Sequence, residues 1–196
     1  MYFIKKFIST ASLPFIGKNR FGIMSLVNKI YFYLKSKQKE YLKNFDDVVY
    51  PLNLFTDTRK VSKKQKIIQV QFSIPEKSQN SLSDLISLLI ENQSPILCSF
   101  KRLGKNETNL NLSFIQQGWA VAVDFPFYEF DTVAIRKFIK VLVENNGKIY
   151  LAKDSIITAD EFQKMYPNYS NWINITRKYD PNSIFKSSMS KRLNIK

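Results

Sequence analysis

Histidine is absent from the 196 residues of this chain. That removes the Ser-His-Asp triad, the Cys-His pair and any histidine-ligated metal. Cysteine occurs once, at Cys98, so no intrachain disulfide can form. Its place in the apolar run 95–100 predicts a buried, structural thiol. Glycine is scarce, with 5 residues, and neither GxGxxG nor GxxxxGK[ST] can be read. A glycine loop that cradles phosphate is therefore not visible, and neither HExxH nor CxxC occurs as a metal motif. No apolar run approaches the ~18 residues of a membrane-spanning helix. The opening stretch "MYFIKKFISTASLPFIG" is broken by Ser9, Thr10, Ser12 and Pro14 and does not read as a signal peptide. It suits an aromatic, basic surface anchor instead. The expected location is cytoplasmic, with the inner membrane face as a peripheral contact.

What the chain has in quantity is apolar and basic. Hydrophobic residues make up 44% and aromatics 14%, enough for one sizeable core, or for one core with a helical arm. The net charge is +14, from 30 basic and 16 acidic residues. This balance fits an anionic partner (nucleic acid, membrane surface or phosphorylated substrate), and equally a solvated lysine-rich surface. Basic clusters lie at 60–66 and 186–196.

Periodicity divides the chain into an arm, 1–56, and an α+β domain, 57–196. Met24, Val27, Ile30, Tyr31 and Leu34 have helical spacing and predict a helix over 22–44. From residue 66 the pattern is regular. Strands are predicted at 67–74 (IIQVQFSI), 95–102 (PILCSFKR), 118–125 (GWAVAVDF) and 148–152 (KIYLA). Ser81 and Asp84 resemble a capping box opening a helix over 82–91. Val133, Ile135, Phe138, Ile139, Leu142 and Val143 form the apolar set of a second helix, 131–145. The order strand-helix-strand, strand-helix-strand is the ferredoxin-like split βαβ arrangement: an antiparallel sheet with helices on one face. Thr158 and Glu161 form a further capping box, for a short helix reaching Tyr166; another helix spans 170–179, and "YDPNSIF" closes the chain.

Few side chains stand out for chemistry on spacing alone. Lys153 follows a strand end and offers three donors to an oxygen anion or hydroxyl; an ordinary surface lysine has the same pattern. Lys101 carries the same ambiguity. Gln69 and Gln71 share one strand face and could bind a polyol or a flavin edge, or simply form a polar outer face. Asp124, between Val123 and Phe125, is expected to be semi-buried and structural.

Seven segments in order, "QVQFSIP", "SFKRLG", "LSFIQQGWAVAVDFP", "NNGKIYLAKDS", "EFQKMYP", "RKYDPNSIF" and "SSMSKRLNI", resemble the carboxy-terminal half of FAD-linked oxidases of the vanillyl-alcohol-oxidase superfamily. Within it the likeness is to decaprenylphosphoryl-ribose 2′-oxidases and, more distantly, aldonolactone oxidases. The resemblance implies a substrate or cap domain that closes over FAD held non-covalently, most of it by an amino-terminal domain outside this chain. The implied reaction moves a hydride from a sugar hydroxyl carbon to flavin. It implies substrate contact by Lys153 and pocket positions at Tyr50, Gln69, Gln71, Lys101 and Tyr150. Where those relatives carry Asn and Cys in "GWNICVDFP", this chain has Ala120 and Ala122, which implies a more apolar pocket. The implied partners are an FAD-binding domain or subunit, a short-chain reductase, and a sugar or polyprenyl-phosphate sugar. Two other readings remain: a ferredoxin-like nucleic-acid module, disfavoured by the lack of an RNP-like segment, and a truncated oxidase that folds without turning over.

Overall fold

A computed structural model of the chain describes residues 66–195 except 94, 96, 106–109, 128 and 129, and upstream residues 26, 29–34, 36, 37, 42, 44 and 45. The chain divides into two compact units, Met1–Gln65 and Lys66–Lys196. In the first unit residues 29–34 are helical, and Ile30, Tyr31 and Leu34 from the expected apolar stripe are exposed. Met24, Val27 and Tyr50 lie outside the described residues.

The second unit holds a four-stranded antiparallel sheet in the order β2-β3-β1-β4. Its strands are β1 (Ile67–Pro75), β2 (Leu97–Leu103), β3 (Gly118–Pro126) and β4 (Lys148–Ile149). Helix α1 (Leu82–Ile90) joins β1 to β2, and α2 (Thr132–Glu144) joins β3 to β4. This is the expected α+β, ferredoxin-like order. Alternation sends Val70, Phe72 and Ile74 of β1 and Val121, Val123 and Phe125 of β3 to one face, where Leu85, Leu89, Ile135, Phe138, Ile139 and Leu142 cover them. Burying each such side chain contributes roughly 1.5–3 kcal/mol. Phe72 and Phe138 meet edge to face at 5.1 Å.

Several expectations are corrected. Ser81 makes no side-chain cap for α1; a 3-10 turn, Glu76–Ser81, leads into the helix and Ser81 Oγ donates to Asn145 Oδ1 at 2.7 Å. Val133 is 64% exposed, because it faces away from the sheet while Ala134 takes a buried place. Cys98 is exposed rather than buried. It lies on β2, an edge strand, which is exposed along most of its length. Partial desolvation, and then the Asp124 charge, raise the thiol pKa.

Beyond the sheet, α3 (Ala159–Met165) is opened by the expected reciprocal Thr158–Glu161 capping box. Helix α4 (Tyr169–Tyr179) follows. A further helix, α5 (Ser188–Arg192), has no apolar period to mark it in the sequence; it is capped by Ser187 and Ser190, and Leu193 and Ile195 after it are buried in the core. No helix among the described residues is long and apolar enough to cross a membrane.

Candidate functional site

The sheet face opposite α1 and α2 is polar and built in rows. Antiparallel register sets Gln69 beside Asp124 and Leu97, Gln71 beside Ala122 and Ser99, and Ser73 beside Ala120 and Lys101. Lys148 extends the third row, as the partner of Ser73 on β4. Tyr150 N donates to Gln71 O at 2.8 Å and places Tyr150 at the end of the middle row.

Lys153 reaches this face through a break in β4. In a straight strand, residues 150 and 152 would share the face of Gln71 and Gln69, and residue 153 would point into the core. The expected strand 148–152 instead ends at Ile149, and a 3-10 turn, Leu151–Lys153, follows. Lys153 N donates to Tyr150 O at 3.0 Å, and Leu151 packs against the core in place of Lys153. The turn thereby rotates the lysine onto the polar face, where its Nζ donates to Gln69 Oε1.

Gln69 is held from both ends. Its Oε1 accepts from Lys153 and its Nε2 donates to Asp124 Oδ1, so lysine, amide and carboxylate form one chain. Asp124 is half-buried, as expected, and its carboxylate also belongs to this hydrogen-bonded group. The signal was available: Ala120, Ala122 and Asp124 alternate onto one face. Desolvation raises the Asp124 carboxyl pKa, against lowering by the Gln69 hydrogen bond and the Lys153 charge.

One end of the face is roofed by the segment before β3. Ser73 Oγ donates to Phe114 O at 3.0 Å, Gln116 Nε2 donates to Ser73 Oγ at 3.1 Å, and the Phe114 and Tyr150 rings meet at 4.9 Å. Ala120 is consequently buried, at 3% exposure. Ala122 remains half-buried as a low floor between Gln71 and Ser99. Gln69, Gln71, Ala122, Tyr150 and Lys153 thus gather around one shallow polar depression. Lys101 stands apart on the β2 edge, two strands from Ser73, or roughly 10 Å at ~4.8 Å per strand.

The donor set is neutral amides and one cation above a methyl floor. It suits a planar group rich in carbonyl acceptors, such as the edge of a flavin ring, or a hydroxylated ring. The residues present therefore fit the cofactor that the resemblance implies, on the chemistry of their side chains.

Architecture and site together define an α+β domain whose antiparallel sheet presents a polar, lysine-bearing face. The particular family follows from comparison: residues 23–193 match D-arabinono-1,4-lactone oxidase, and the chain belongs to that family. It is also 30% identical, over 182 residues, to the decaprenylphosphoryl-beta-D-ribose oxidase of Mycolicibacterium smegmatis (strain ATCC 700084 / mc(2)155). That match covers 90% of this chain and 38% of the relative, so the chain spans well under half the length of the curated relative.

Proposed function

We propose that this chain supplies the substrate-side domain of an FAD-dependent sugar oxidoreductase, with the bulk of the FAD contacts on a separate domain or subunit. The observation that carries the reading is the Lys153–Gln69–Asp124 chain beside Gln71, Tyr150 and Ala122. The family match, and the similarity to a decaprenylphosphoryl-beta-D-ribose oxidase, support a sugar hydroxyl as the reacting group. A polyprenyl-phosphate-linked pentose or an aldonolactone fits this class.

Bound FAD would supply the two-electron acceptor for the hydride leaving the hydroxyl-bearing carbon. The chain's own residues handle the oxygen. As the hydroxyl proton passes to solvent, Lys153 Nζ donates to the substrate oxygen and stabilises the alkoxide charge from which the hydride would leave. Gln69 holds that ammonium in place, and Asp124 fixes which end of the Gln69 amide faces it. Gln71 and Tyr150 orient the ring, and the small Ala122 leaves it room.

The test is reconstitution of this chain with an FAD-binding domain, followed by anaerobic measurement of flavin bleaching with sugar substrates. Lys153→Ala is expected to slow bleaching by about 10²–10³-fold, the range for losing one donor that stabilises charge on oxygen, with unchanged circular dichroism. Bleaching by the variant at the wild-type rate would remove Lys153 from the mechanism. A wild-type pair that neither holds nor bleaches flavin would remove the oxidase reading.

A further inference from the structure

A cavity lies beside the depression, at the outer edge of β4. It encloses about 290 Å³ between the Leu110–Gln116 segment, the Asn146–Lys148 turn and the end of α3. Its walls include Lys148, Lys164, Asn111, Gln116, Asn146 and Asn168, with no carboxylate among the lining residues. The volume is at the lower end for small-molecule sites, which suits a ligand of sugar-phosphate size.

Lys148 is the unusual group. Its ammonium is half-buried, and desolvation lowers its pKa. It donates to Ser113 O at 2.8 Å and lies 5.3 Å from the Tyr166 ring centroid, over the ring face. Among the described residues no carboxylate forms an ion pair with it. A partly desolvated cation normally has a counter-charge, because a lone one is costly. One of its three donors serves Ser113, and among the described residues no further hydrogen bond is made, which leaves capacity for a ligand in the cavity. Lys164 on α3 brings a second positive charge, and the carboxamides bring neutral N–H donors. Cations with amides and no acid are a phosphate-binding set.

We propose that this cavity holds the phosphate group of a phosphorylated sugar substrate, as a subsite separate from the depression where the hydroxyl would react. The cavity stands on its own geometry, while its assignment to substrate rests on the oxidase reading above. Lys148 of β4 and Tyr150, just past its end, are two residues apart on one side of the chain, about 6.6 Å along an extended backbone. The Phe114–Tyr150 ring pair lies at the boundary between the two regions. A phosphate on Lys148 would therefore leave an attached sugar ring within reach of Gln71 and Lys153.

The full chain, without flavin, is titrated by calorimetry at constant ionic strength with inorganic phosphate, ribose 5-phosphate and ribose. Saturable binding of phosphate is expected with a Kd on the order of 1 mM, about 4 kcal/mol of affinity. Ribose 5-phosphate should bind at least tenfold more tightly and ribose should not bind. Lys148→Met and Lys164→Glu should each weaken both phosphate ligands at least tenfold. Lys186→Glu, which changes the net charge as Lys164→Glu does, should leave them unchanged. Lys164 is exposed, so its variant keeps the test open if Lys148→Met does not fold. Weak, non-saturable binding, or equal loss in Lys186→Glu, would overturn the cavity. Phosphate and ribose 5-phosphate binding with equal affinity would overturn its assignment to substrate. Neither result touches the flavin-bleaching test of the oxidase reading.

Discussion

Lys153, Gln69 and Asp124 show how one amide can order a site. A glutamine between a cation and an anion has only one satisfactory orientation: carbonyl to lysine, NH₂ to carboxylate. The arrangement gives Asp124 a measurable pH signature. Its folded pKa is raised above the ordinary carboxylate value, chiefly by desolvation. A raised folded pKa means that the folded state favours the protonated form. The corresponding stability is present below the unfolded value of about 3.9 and is lost as pH rises through the folded value. Asn lacks this titration. The stability of Asp124→Asn relative to wild type is therefore expected to improve as pH rises from 3 to 7, read by urea midpoints at several pH values. A difference that stays flat across that range would show that Asp124 does not carry the strained charge.

Among the elements, β1 and β3 were legible because each is a central strand with alternating faces, and their partners on both sides enforce that alternation. Helix α2 was legible from its apolar spacing, although Val133 continues the period onto the solvent side. The failures have physical causes. Residues 148–152 look like a strand by composition, yet β4 is a sheet edge with one neighbour and only a short ladder to hold it extended. Helix α5, "SMSKR", is too short and polar for any apolar period. The depression was half legible: the two glutamines share a face by arithmetic, but Lys153 joins them only through an irregular turn. Contacts on its outer edge anchor β4 as well. Buried Tyr166 donates its hydroxyl to Ile149 O at 2.6 Å, and Met165 Sδ accepts from Ile149 N at 3.4 Å. Burial pushes the Tyr166 hydroxyl far above its usual pKa, so it remains a donor at any ordinary pH. Tyr166→Phe keeps the ring and strips that bond from a buried carbonyl. The expected loss is about 1–2 kcal/mol of unfolding free energy, measured by chemical denaturation. Wild-type stability in the variant would show that β4 is held by its ladder alone.

At the scale of the whole chain, helix α5 is tied to the segment after Lys153 by an ion pair whose partners lie 38 positions apart in sequence. Arg192 of α5 places Nη2 2.5 Å from Asp154 Oδ2, and it also donates to Ile157 O. The Asp154 side chain is fully buried, while that of Arg192 is 34% exposed. Oδ1 of Asp154 accepts from Ile156 N at 2.9 Å and Ile157 N at 3.1 Å, which fixes the backbone directly after Lys153. The C-terminal segment thus acts on the orientation of the 3-10 turn that presents Lys153, in addition to filling the core with Leu193 and Ile195. Arg192→Ala would leave a buried carboxylate with two backbone donors and no cation. Removing one partner of a fully buried pair costs about 3–5 kcal/mol; partial exposure of the guanidinium here brings the expectation down to about 2–3 kcal/mol. Arg192→Lys restores the charge without the forked geometry and should recover part of that loss. A positioning role has a consequence that stability alone lacks. In enzyme reconstituted with an FAD-binding domain, at a temperature where both variants remain folded, flavin bleaching at saturating substrate should fall further in Arg192→Ala than in Arg192→Lys. Substrate affinity should change little in either. If both variants bleach flavin at the wild-type rate while losing stability, Arg192 serves the fold and has no part in placing Lys153.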